Sequence, residues 1–357
     1  MAQFETALAE NTPQEAPRMA GFSMPGRFDK HEQTLISWPP AEEAANTDLE
    51  GFRCEVEALV RAVARYEPVT LIVDPADEDD ARDRCGDVAT VLIVPIDASW
   101  IRDNGPIFVR DSSGQVAATC FDFNGWGLRV PYAKTKGMPE AVSAALNIPS
   151  YHAPFICEGG GISVDGKGTL ITTEQVMRNA NRYQDWSREA LERGLHDYLG
   201  IETVIWLGQG LVEDTGTDGH VDNIVEFVSP GVVMAQVTRD RSNPNFELLS
   251  ENLKRLKAAR DAKGRQLDII EMDVLPYLPE INGKCAVAPY VNAYLVNGGI
   301  IAPEVDPKLD DLGYRQLEKA FPGRTVTPVP TAYQADGGGG IACLTQQVPA
   351  SYASEQS

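Results

Sequence analysis

The amino-acid sequence predicts a mixed α/β fold assembled from repeated units, in the form of a pseudo-symmetric αβ propeller. Short strand-like runs alternate with a few helical stretches along the 357 residues. Polar clusters, most of which contain glycine, recur where strands are predicted to end. Their central residues follow one another at intervals of 55, 62, 72 and 51 positions, at Asp103, Glu158, His220, Asn292 and Cys343. Recurrence at such an interval indicates a repeat architecture, and a propeller would bring the polar strand ends to one axis.

Hydrophobic patterning and turn residues locate the individual elements. The predicted strands include Val69–Val73, Val91–Ile96, Ile107–Arg110, Ile201–Trp206, Ile224–Val228, Val232–Gln236 and Ala293–Val296. The predicted helices are Asp48–Tyr66, Asp185–Leu199, Asn245–Ala262 and Asp306–Ala320. The first of these keeps its apolar residues at helical spacing. Gly231 and Gly298 lie between paired strands and predict hairpin turns, because glycine adopts the positive φ that those turns require.

Length alone would allow one large domain or two ordinary ones. Because no linker or low-complexity block interrupts the middle of the chain, we expect a single domain over residues 21–350. The polar N-terminus, residues 1–20, is expected to form a disordered tail, and residues 351–357 a C-terminal tail. The N-terminus lacks the basic and apolar regions of a secretion signal. No stretch approaches the roughly 18 consecutive apolar residues of a membrane helix. We therefore expect a cytoplasmic protein without a membrane partner.

The formal net charge of −21 narrows the classes of partner. A strongly acidic chain is a poor match for nucleic acid. Two interpretations of the charge stay open: it keeps the protein in solution, or its field favours a small cationic substrate. Association into a homo-oligomer is also left open by the composition.

Six cysteines and four histidines are scattered singly along the chain. No CxxC pair and no HExxH pattern occurs, so the sequence predicts no zinc site, and we expect no metal and no other cofactor. A chain of this size without a secretion signal usually keeps its thiols reduced. Cys54 falls in an apolar helical stretch, and Cys120, Cys157 and Cys285 have the surroundings of core or strand positions. Cys343 is therefore expected to be the only essential cysteine.

The glycine run before Cys343 makes this residue the candidate nucleophile. The four glycines Gly337–Gly340 have no side chains that could pack in a core, and fixing their backbone on folding costs conformational entropy. Such a run fits a place where the backbone approaches a ligand or presents bare N–H groups to a pocket. The alternative is a flexible turn before a strand that holds a buried structural cysteine. The run favours the nucleophile, with Gly339 and Gly340 as substrate-binding positions.

Three further motifs supply candidate partners for this thiol. His220 and Asp222 are two positions apart, so in a strand they point to one face, as a proton-transfer group beside an anionic anchor. Asp103 precedes Gly105-Pro106, and Glu158 precedes three glycines. Each motif also has a simpler interpretation: a surface histidine near a turn, an Asx turn or helix cap, and a solvated loop carboxylate.

Together these residues form a coherent site for a guanidinium group. A guanidinium is planar and stays protonated, with a pKa of roughly 12.5–13.8 in arginine, and carboxylates hold it in bidentate geometry. Asp103 and Asp222 would supply these carboxylates. A thiolate from Cys343 is a suitable nucleophile for the central carbon. His220 would protonate the departing ammonia and activate water.

The motifs, taken in order, resemble those of the agmatine deiminases, in the bacterial peptidylarginine deiminase-like family of the guanidino-modifying (pentein) superfamily. The resemblance runs from Phe22 to Gln347. The matching stretches are Trp100–Pro106, Phe123–Gly127, Glu158–Gly166, Leu170–Glu174, Tyr198–Gly200, Val204–Leu207, Thr217–Asn223, Asn292, Asn297–Gly299 and Gly337–Gln347.

The resemblance implies a fold and a reaction. The fold is a five-bladed αβ propeller with the site on its axis. Cys343 would attack, Asp103 and Asp222 would clamp the guanidinium, and His220 would be the acid/base, oriented by Glu158. The intermediate would be an S-alkylthiouronium. The favoured reaction is that of agmatine with water to give N-carbamoylputrescine and ammonia, a step in putrescine and polyamine biosynthesis.

The resemblance also implies pocket residues, and it has two departures. Trp100 and Asn292 would line the pocket. The family usually has His before the nucleophile, where this chain has Ala342. The agmatine enzymes typically carry Asp-Glu before the histidine motif, where this chain has Asp214–Gly216. The first departure alters the pocket wall, and the second removes a carboxylate that bears on recognition of the terminal amine of agmatine.

Residues near these two departures from the family pattern could bind the end of the substrate that is distant from the guanidinium. Glu213, Asp214 and Asp218 remain candidates for binding a distal amine, with Asp218 as the substrate-binding candidate. An arginine-like substrate would instead need a cation for its carboxylate. Candidates by sequence position are Arg102, Arg129 and Arg178, and Arg102 is better suited to a structural ion pair.

Other functions stay open at this point. The chain could be a deiminase of arginine, peptidylarginine or a specialised metabolite. It could be a related amidinotransferase, which would pass the same covalent adduct to an amine. It could also be a non-catalytic relative that binds a guanidine without turning it over.

Overall fold

The computed structural model describes residues 16–43, 48–182, 186–278 and 286–351. Within these residues the chain forms sixteen strands in five sheets, with helices packed against them. The predicted mixed α/β class is therefore confirmed.

The five sheets formed by the described residues share one strand pattern. In each, an antiparallel pair is followed by a strand parallel to its neighbour. The strands are β1 (His31–Ser37), β2 (Val69–Val73), β3 (Thr90–Ile93), β4 (Ile107–Arg110), β5 (Val116–Asp122), β6 (Ser150–Ile156), β7 (Ser163–Val164), β8 (Thr169–Thr173), β9 (Thr203–Leu207), β10 (Val225–Ser229), β11 (Val232–Gln236), β12 (Asp268–Met272), β13 (Tyr294–Val296), β14 (Gly299–Glu304), β15 (Thr325–Pro330) and β16 (Thr345–Pro349). The sheet orders are β16-β1-β2-β3, β4-β5-β6, β7-β8-β9, β10-β11-β12 and β13-β14-β15.

Helices carry the chain from the middle strand of each sheet to its parallel neighbour. The helices are α1 (Leu49–Val63), α2 (Glu78–Cys85), α3 (Ile101–Asn104), α4 (Gly125–Leu128), α5 (Met138–Ala145), α6 (Glu174–Met177), α7 (Arg188–Leu199), α8 (Phe246–Ala258), α9 (Asp310–Ala320) and α10 (Ala332–Asp336). The crossing helices are α1, α5, α7, α8 and α9. No helix in the described part of the chain combines the length and apolar character needed to span a bilayer.

Helix α1 shows how sequence, packing and site are connected. Asp48 caps its N-terminus, and apolar residues at helical spacing, among them Phe52 and Leu59, are buried. Full burial of such a side chain contributes about 1.5–3 kcal/mol. The same apolar cluster contains Trp100 and Cys343. The helix therefore packs in the hydrophobic core that holds these two candidate site residues in place.

One helical turn precedes a strand of every sheet and carries a polar cluster of the sequence. The turns are Ile101–Asn104 before β4, Gly159–Gly161 before β7, Val221–Asn223 before β10, Tyr290–Asn292 before β13 and Ala342–Leu344 before β16. Several of these turns contact one another directly. The recurring interval in the sequence therefore corresponds to one polar turn per sheet.

Most predicted elements are present, but several ends differ. Three strands match to the residue: Val69–Val73, Ile107–Arg110 and Val232–Gln236. Helix α1 ends at Val63 rather than Tyr66, and α8 ends at Ala258 because Ala259 adopts an extended conformation, with ψ of 160°. The predicted helix start at Asp185 lies outside the described residues, and α7 begins after the capping side chain of Ser187.

The last residues of the predicted N-terminal tail are ordered. Pro17–Ala20 form a short 3-10 helix that packs against α7, and Pro17 is buried. Proline at the first position favours such a turn because its φ is already helical. Gly21 closes the turn with a φ of +85°. Residues 1–15 and 352–357, and with them most of both predicted tails, lie outside the described residues, as does Cys285.

Candidate active site

A cavity of about 350 Å³ lies beside the polar helical turns. It is lined by Glu42, Glu43, Phe52, Asp97, Ala98, Trp100, Asp103, Trp126, Arg129, Val130, Pro131, Gly216, Thr217, His220, Asn223, Asp336, Gly337, Gly338, Gly339 and Cys343. Five of the predicted site residues, which are far apart in the sequence, are thus brought to one surface: Trp100, Asp103, His220, Gly339 and Cys343.

Cys343 is almost fully buried next to an aspartate and an amide. Its sulfur lies 3.8 Å from Oδ2 of Asp222 and 3.6 Å from Nδ2 of Asn292. Burial raises the pKa of the Cys343 thiol well above its usual range, and the charges of Asp222 and Asp103 add to the rise. With these neighbours the side chain is a neutral thiol near pH 7. A cation held by the two aspartates would oppose that rise.

The other cysteines of the described chain differ from Cys343 in their surroundings. Cys85, Cys120 and Cys157 are buried away from the cavity surface. Cys54 is exposed on α1, so its predicted apolar position is wrong. The sequence pattern failed there because Cys54 lies beside the apolar stripe of the helix rather than within it.

Two positions in the run before Cys343 must be glycine, because neighbouring side chains lie too close for a Cβ atom. An added Cβ would lie 2.3 Å from the Trp100 ring at Gly339 and 2.5 Å from Oδ1 of Asn292 at Gly340. Gly339 lines the cavity. Gly340 does not, and its carbonyl instead accepts a hydrogen bond from the Cys343 amide at 3.1 Å. The run lets the backbone pass close to both side chains and turn into the thiol.

Asn292 supports the turn that carries the thiol. Its Oδ1 accepts a hydrogen bond from the Ala342 amide at 3.1 Å, and its Nδ2 approaches the sulfur of Cys343. Asn292 is buried and is not part of the cavity surface. The structure therefore puts it beside the thiol, whereas the family resemblance implies a position in the pocket wall.

His220 is fully buried between carboxylates. Its Nε2 lies 2.8 Å from Oε2 of Glu158. Its Nδ1 lies 3.7 Å from Oδ2 of Asp103 and has no hydrogen-bond partner among the described residues. Burial lowers the pKa of His220, but the charges of Asp103 and Glu158 outweigh burial and raise the pKa to about 10. The imidazole is therefore protonated near pH 7.

Asp103, Asp222 and His220 converge on the backbone of Gly160. An added Cβ at Gly160 would lie 2.6 Å from Nδ1 of His220, 2.8 Å from Oδ1 of Asp103 and 3.0 Å from Oδ2 of Asp222. No side chain fits there, which explains a glycine in this motif. The Trp126 indole and the Gly160 amide donate hydrogen bonds to Asp103, at 3.0 and 2.9 Å.

Asp222 retains an unused acceptor. Its Oδ1 is buried and has no hydrogen-bond partner within the part of the chain that the structure describes. Burial raises the pKa of Asp222 to about 6, against the opposing charge of His220. A buried carboxylate oxygen without a donor is costly, so this atom is suited to receive an N–H group from a ligand.

Asp218 forms ion pairs inside the protein and does not line the cavity. Arg129 donates two hydrogen bonds to its carboxylate, at 2.6 and 2.7 Å. Arg182 and Asn181 donate to the same carboxylate, each at 2.7 Å. The prediction that Asp218 binds the substrate directly is contradicted by this arrangement, because these donors already satisfy its oxygens.

Glu213 and Asp214 also use their carboxylates within the protein. The Asn245 amide donates to Glu213 at 2.8 Å. The backbone amides of Thr217 and His220 donate to Asp214 at 3.0 and 2.9 Å. Neither acid lines the cavity, so they do not provide the predicted acceptor for a distal amine.

Other acids line the cavity that the sequence motifs do not mark: Glu42, Glu43, Asp97 and Asp336. Burial raises the pKa of Glu43 to about 7. These acids lie in loops or at the end of a short helix, outside the recognised motifs. The one signal in the sequence is that Glu42 and Glu43 closely follow Ser37-Trp38-Pro39, a short run at the end of β1. Lys134 already pairs with Glu42 and donates its backbone amide to Asp97, and the Ser99 amide donates to Glu43. These acids therefore favour a cation in the cavity through their negative field rather than through unused oxygens.

Of the three arginines considered as carboxylate partners, only Arg129 lines the cavity. The bidentate contact with Asp218 compensates its charge. Arg102 is buried and donates to the Ala342 carbonyl at 3.1 Å. It thus has a structural role, but through neutral oxygens rather than the predicted ion pair. Arg178 lines a separate groove.

Aromatic rings provide the apolar part of the cavity wall. Trp100 stacks on Phe52 with ring centroids 5.7 Å apart. Trp126 lies in α4, a turn with left-handed backbone in which its φ is +52°. A non-glycine residue pays conformational strain for this φ, which the indole hydrogen bond to Asp103 helps to offset. The wall suits an alkyl chain that carries cationic ends.

Comparison with known proteins gives the family. The family model for Porphyromonas-type peptidyl-arginine deiminase matches residues 23–349. The chain is 36% identical over 365 residues to the agmatine deiminase of Pseudomonas aeruginosa (strain LESB58), which covers 95% of this chain and 99% of that protein. It is 37% identical over 367 residues to the agmatine deiminase of Pseudomonas fluorescens (strain Pf-5), with 95% and 99% covered. A solved structure of the Enterococcus faecalis agmatine deiminase has a TM-score of 0.90 at 29% identity and covers 96% of this chain and 100% of that chain. The chain belongs to the Porphyromonas-type peptidyl-arginine deiminase family.

The charges around His220 predict its titration. In protein labelled with ¹⁵N-histidine, NMR should show a pKa of about 10 for His220. Glu158→Gln removes the carboxylate in contact with Nε2 and should lower this pKa by about 1–3 units. The matched control is Glu192→Gln, which removes a carboxylate bonded to Trp206 and should change nothing. Titration of His220 near 6.5 in the parent protein would contradict the described charge arrangement.

Proposed function

We propose that the protein hydrolyses a guanidino compound to a ureido compound and ammonia, through a covalent intermediate on Cys343. The observation that carries the proposal is the convergence of Asp103, Asp222 and His220 on Gly160, with the Cys343 sulfur 3.8 Å from Asp222. Two anionic acceptors, a proton donor and a thiol at one point are the groups that attack on a guanidinium carbon requires.

Binding begins with the two aspartates. Asp103 and Asp222 accept N–H groups from the planar guanidinium, and the unused Oδ1 of Asp222 takes one of them. The bound cation compensates the two negative charges that raise the pKa of Cys343. Substrate binding therefore favours release of the thiol proton to bulk water, since His220 is already protonated, and the thiolate nucleophile forms in place.

In the first half-reaction the Cys343 sulfur forms a bond to the central guanidinium carbon. His220, which is protonated near pH 7, gives a proton to the departing nitrogen. The carbon–nitrogen bond breaks and ammonia leaves. The product on the enzyme is an S-alkylthiouronium, and His220 is left neutral.

In the second half-reaction water attacks the thiouronium carbon. Neutral His220 takes one proton from that water, and the carbon–sulfur bond breaks. The second proton of the water passes to the departing sulfur, so the neutral ureido product leaves and Cys343 returns as the thiol. Glu158, 2.8 Å from Nε2, stabilises the imidazolium at both ends of this cycle and orients Nδ1 towards the reacting groups.

The fold proposed for this chemistry is a five-bladed αβ propeller within a single catalytic domain. Two observations support it: the shared strand pattern of the five sheets formed by the described residues, and the antiparallel pairing of β16 with β1. That pairing joins the end of the described chain to its beginning. The polar turns would then surround the propeller axis.

Agmatine is the substrate that we propose. The Pseudomonas aeruginosa and Pseudomonas fluorescens relatives carry the name agmatine deiminase. Agmatine is a dication with an alkyl chain, and the cavity combines aromatic walls with Glu42, Glu43, Asp97 and Asp336. Arg129, the arginine in the cavity wall, is compensated by Asp218. Its partner makes it a poor site for the carboxylate of arginine.

Replacement of the thiol tests the proposed nucleophile. Cys343→Ala should lower kcat by at least about a thousandfold, because removal of a nucleophile removes the covalent path. Agmatine binding, measured by calorimetry, should persist because the aspartates remain. Cys120→Ala removes a buried thiol outside the cavity and is the matched control. It should keep parental turnover. A Cys343→Ala protein that still releases ammonia at the parental rate would exclude the mechanism.

A panel of guanidines tests the substrate. Ammonia and ureido product should be measured for agmatine, arginine and monocationic guanidines, with and without added amines and after chelator treatment. Agmatine should exceed arginine in kcat/KM by at least about tenfold, or roughly 1.4 kcal/mol. If arginine has the highest kcat/KM of the panel, the assignment of agmatine as the substrate is wrong. Loss of ureido product to added amines would indicate an amidinotransferase, and no turnover of any guanidine would end the enzyme proposal for these substrates.

A further inference from the structure

A continuous chain of ion pairs connects the cavity wall with the proposed acid/base. Arg129 donates to Asp218 at 2.6 and 2.7 Å, and Arg182 donates to the same carboxylate at 2.7 Å. The other side of Arg182 donates to Glu158 at 2.7 Å. Glu158 in turn lies 2.8 Å from Nε2 of His220. The two ends of the chain are thus a cavity-lining cation and the imidazole.

The chain becomes steadily more buried towards the imidazole. Side-chain exposure falls from 37% at Arg129 and 13% at Asp218 to 1% at Arg182 and Glu158. Removal of one partner from a buried pair is strongly destabilising, because the remaining charge is left without compensation. The buried half of the chain therefore depends on Arg182, and the exposed half depends on Asp218.

The backbone around Asp218 is shaped for these contacts. Asp218 and Gly219 both adopt left-handed conformations, with φ of +64° and +84°. A side chain at Gly219 would meet the Gln175 amide oxygen at 2.4 Å. This turn directs the Asp218 carboxylate to the two arginines and leads the chain directly into His220.

We propose that Arg182 and Asp218 are positioning residues with separable effects on the reaction. Arg182 fixes the Glu158 carboxylate that orients His220. Asp218 compensates Arg129, so that a cationic substrate can occupy the cavity beside it. The inference rests on the proposed guanidine hydrolysis, and it replaces direct substrate binding by Asp218 with an effect through Arg129.

The effect of Arg182 is expected on kcat. The ionisable groups around Glu158 are Arg182, His220, Asp103 and the Cys157 thiol. Burial raises the pKa of Glu158, but His220 and Arg182 outweigh burial and hold the pKa below its usual range. Without Arg182 the carboxylate of Glu158 would take up a proton at a higher pH. A protonated Glu158 no longer stabilises the imidazolium.

The pH dependence of kcat separates the effect of Arg182 on Glu158 from the titration of the aspartates that bind the guanidinium. The profile of kcat/KM reports groups of the free enzyme, where the pKa of Asp222 is raised to about 6. The profile of kcat reports the enzyme–substrate complex. There the bound guanidinium keeps Asp222 ionised, so the acid limb of kcat responds to Glu158.

The first experiment compares Arg182→Gln and Arg182→Lys with the parent protein, using agmatine. Arg182→Gln should lower kcat at least about tenfold, move the acid limb of kcat to higher pH and leave KM near the parental value. Arg182→Lys keeps a cation and should recover part of the loss. Arg53→Lys is the matched control, since Arg53 pairs with Asp77 and Asp80 and should leave the profile unchanged.

Two results of this experiment would overturn the role of Arg182. One is a folded Arg182→Gln protein with the parental kcat profile. The other is a folded Arg182→Gln protein whose kcat falls while its acid limb stays at the parental pH, because such a loss would not pass through Glu158. If Arg182→Gln does not fold, as judged by thermal unfolding, Arg182→Lys decides: one ammonium does not reproduce the contacts of the guanidinium with both Asp218 and Glu158, so a parental kcat in this variant would overturn the role.

The second experiment is a double-mutant cycle at the exposed end of the chain. Asp218→Asn leaves the Arg129 charge uncompensated in the cavity wall, so KM for agmatine should rise about tenfold with kcat within about twofold of the parent. Arg129→Gln in the Asp218→Asn background removes that charge and should restore KM. If the double variant keeps the high KM, Asp218 does not act through Arg129, and this part of the inference fails.

Failure of the inference and failure of the proposed function give different results. If the parent protein turns over no guanidine, the proposed function fails first. In that case NMR of ¹⁵N-histidine still tests the Arg182 contact, because Arg182→Gln should change the His220 titration while Arg53→Lys should not. If the parent turns over agmatine and both sets of variants behave like it, the inference alone is wrong.

Discussion

Two buried carboxylates, Asp103 and Asp222, face the same small space beside the Cys343 sulfur. Burial raises the pKa of both acids, and their charges in turn raise the pKa of the thiol. Such crowding of like charges is unfavourable in the absence of a cation. Three features of the site are linked to this crowding: a protonated His220 beside Asp103, an unused acceptor on Asp222, and a thiol that we propose to become a nucleophile when a cationic substrate binds.

The fold makes this crowding tolerable by fixing each group on a different structural unit. Asp103, Asp222 and Cys343 come from three separate helical turns, each of which leads directly into a strand of a different sheet. Gly160, from a fourth turn, leaves open the point at which a Cβ atom would clash with both acids and with His220. Because each turn is anchored by its sheet, the charged groups cannot easily move apart to relieve their repulsion.

Much of this arrangement could be predicted from the sequence, because it repeats. Polar glycine-containing clusters at regular intervals mark the turns, and the residues Asp103, His220 and Cys343 indeed meet at one cavity. The glycine run before Cys343 signals close approach of the backbone, and the structure identifies Trp100 and Asn292 as the neighbouring groups.

The outer part of the site could not be predicted in the same way. Asp218 is an acid beside His220 in the sequence, yet its charge is taken up by Arg129 and Arg182, residues 89 and 36 positions away. A sequence motif does not reveal such distant partners. Glu43 and Asp97 line the cavity from loops that carry no motif, so only the fold shows their position.

The covalent adduct on Cys343 tests the central claim most directly. The parent protein and His220→Ala, which lacks the group proposed to activate water, should be mixed with agmatine, quenched in acid at successive times and examined by mass spectrometry. The account predicts a species heavier than the free protein by one agmatine less one ammonia, with the added mass on the peptide that contains Cys343. Absence of this species at every quench time in both proteins, while the parent protein releases ammonia, would contradict a mechanism through a thiouronium.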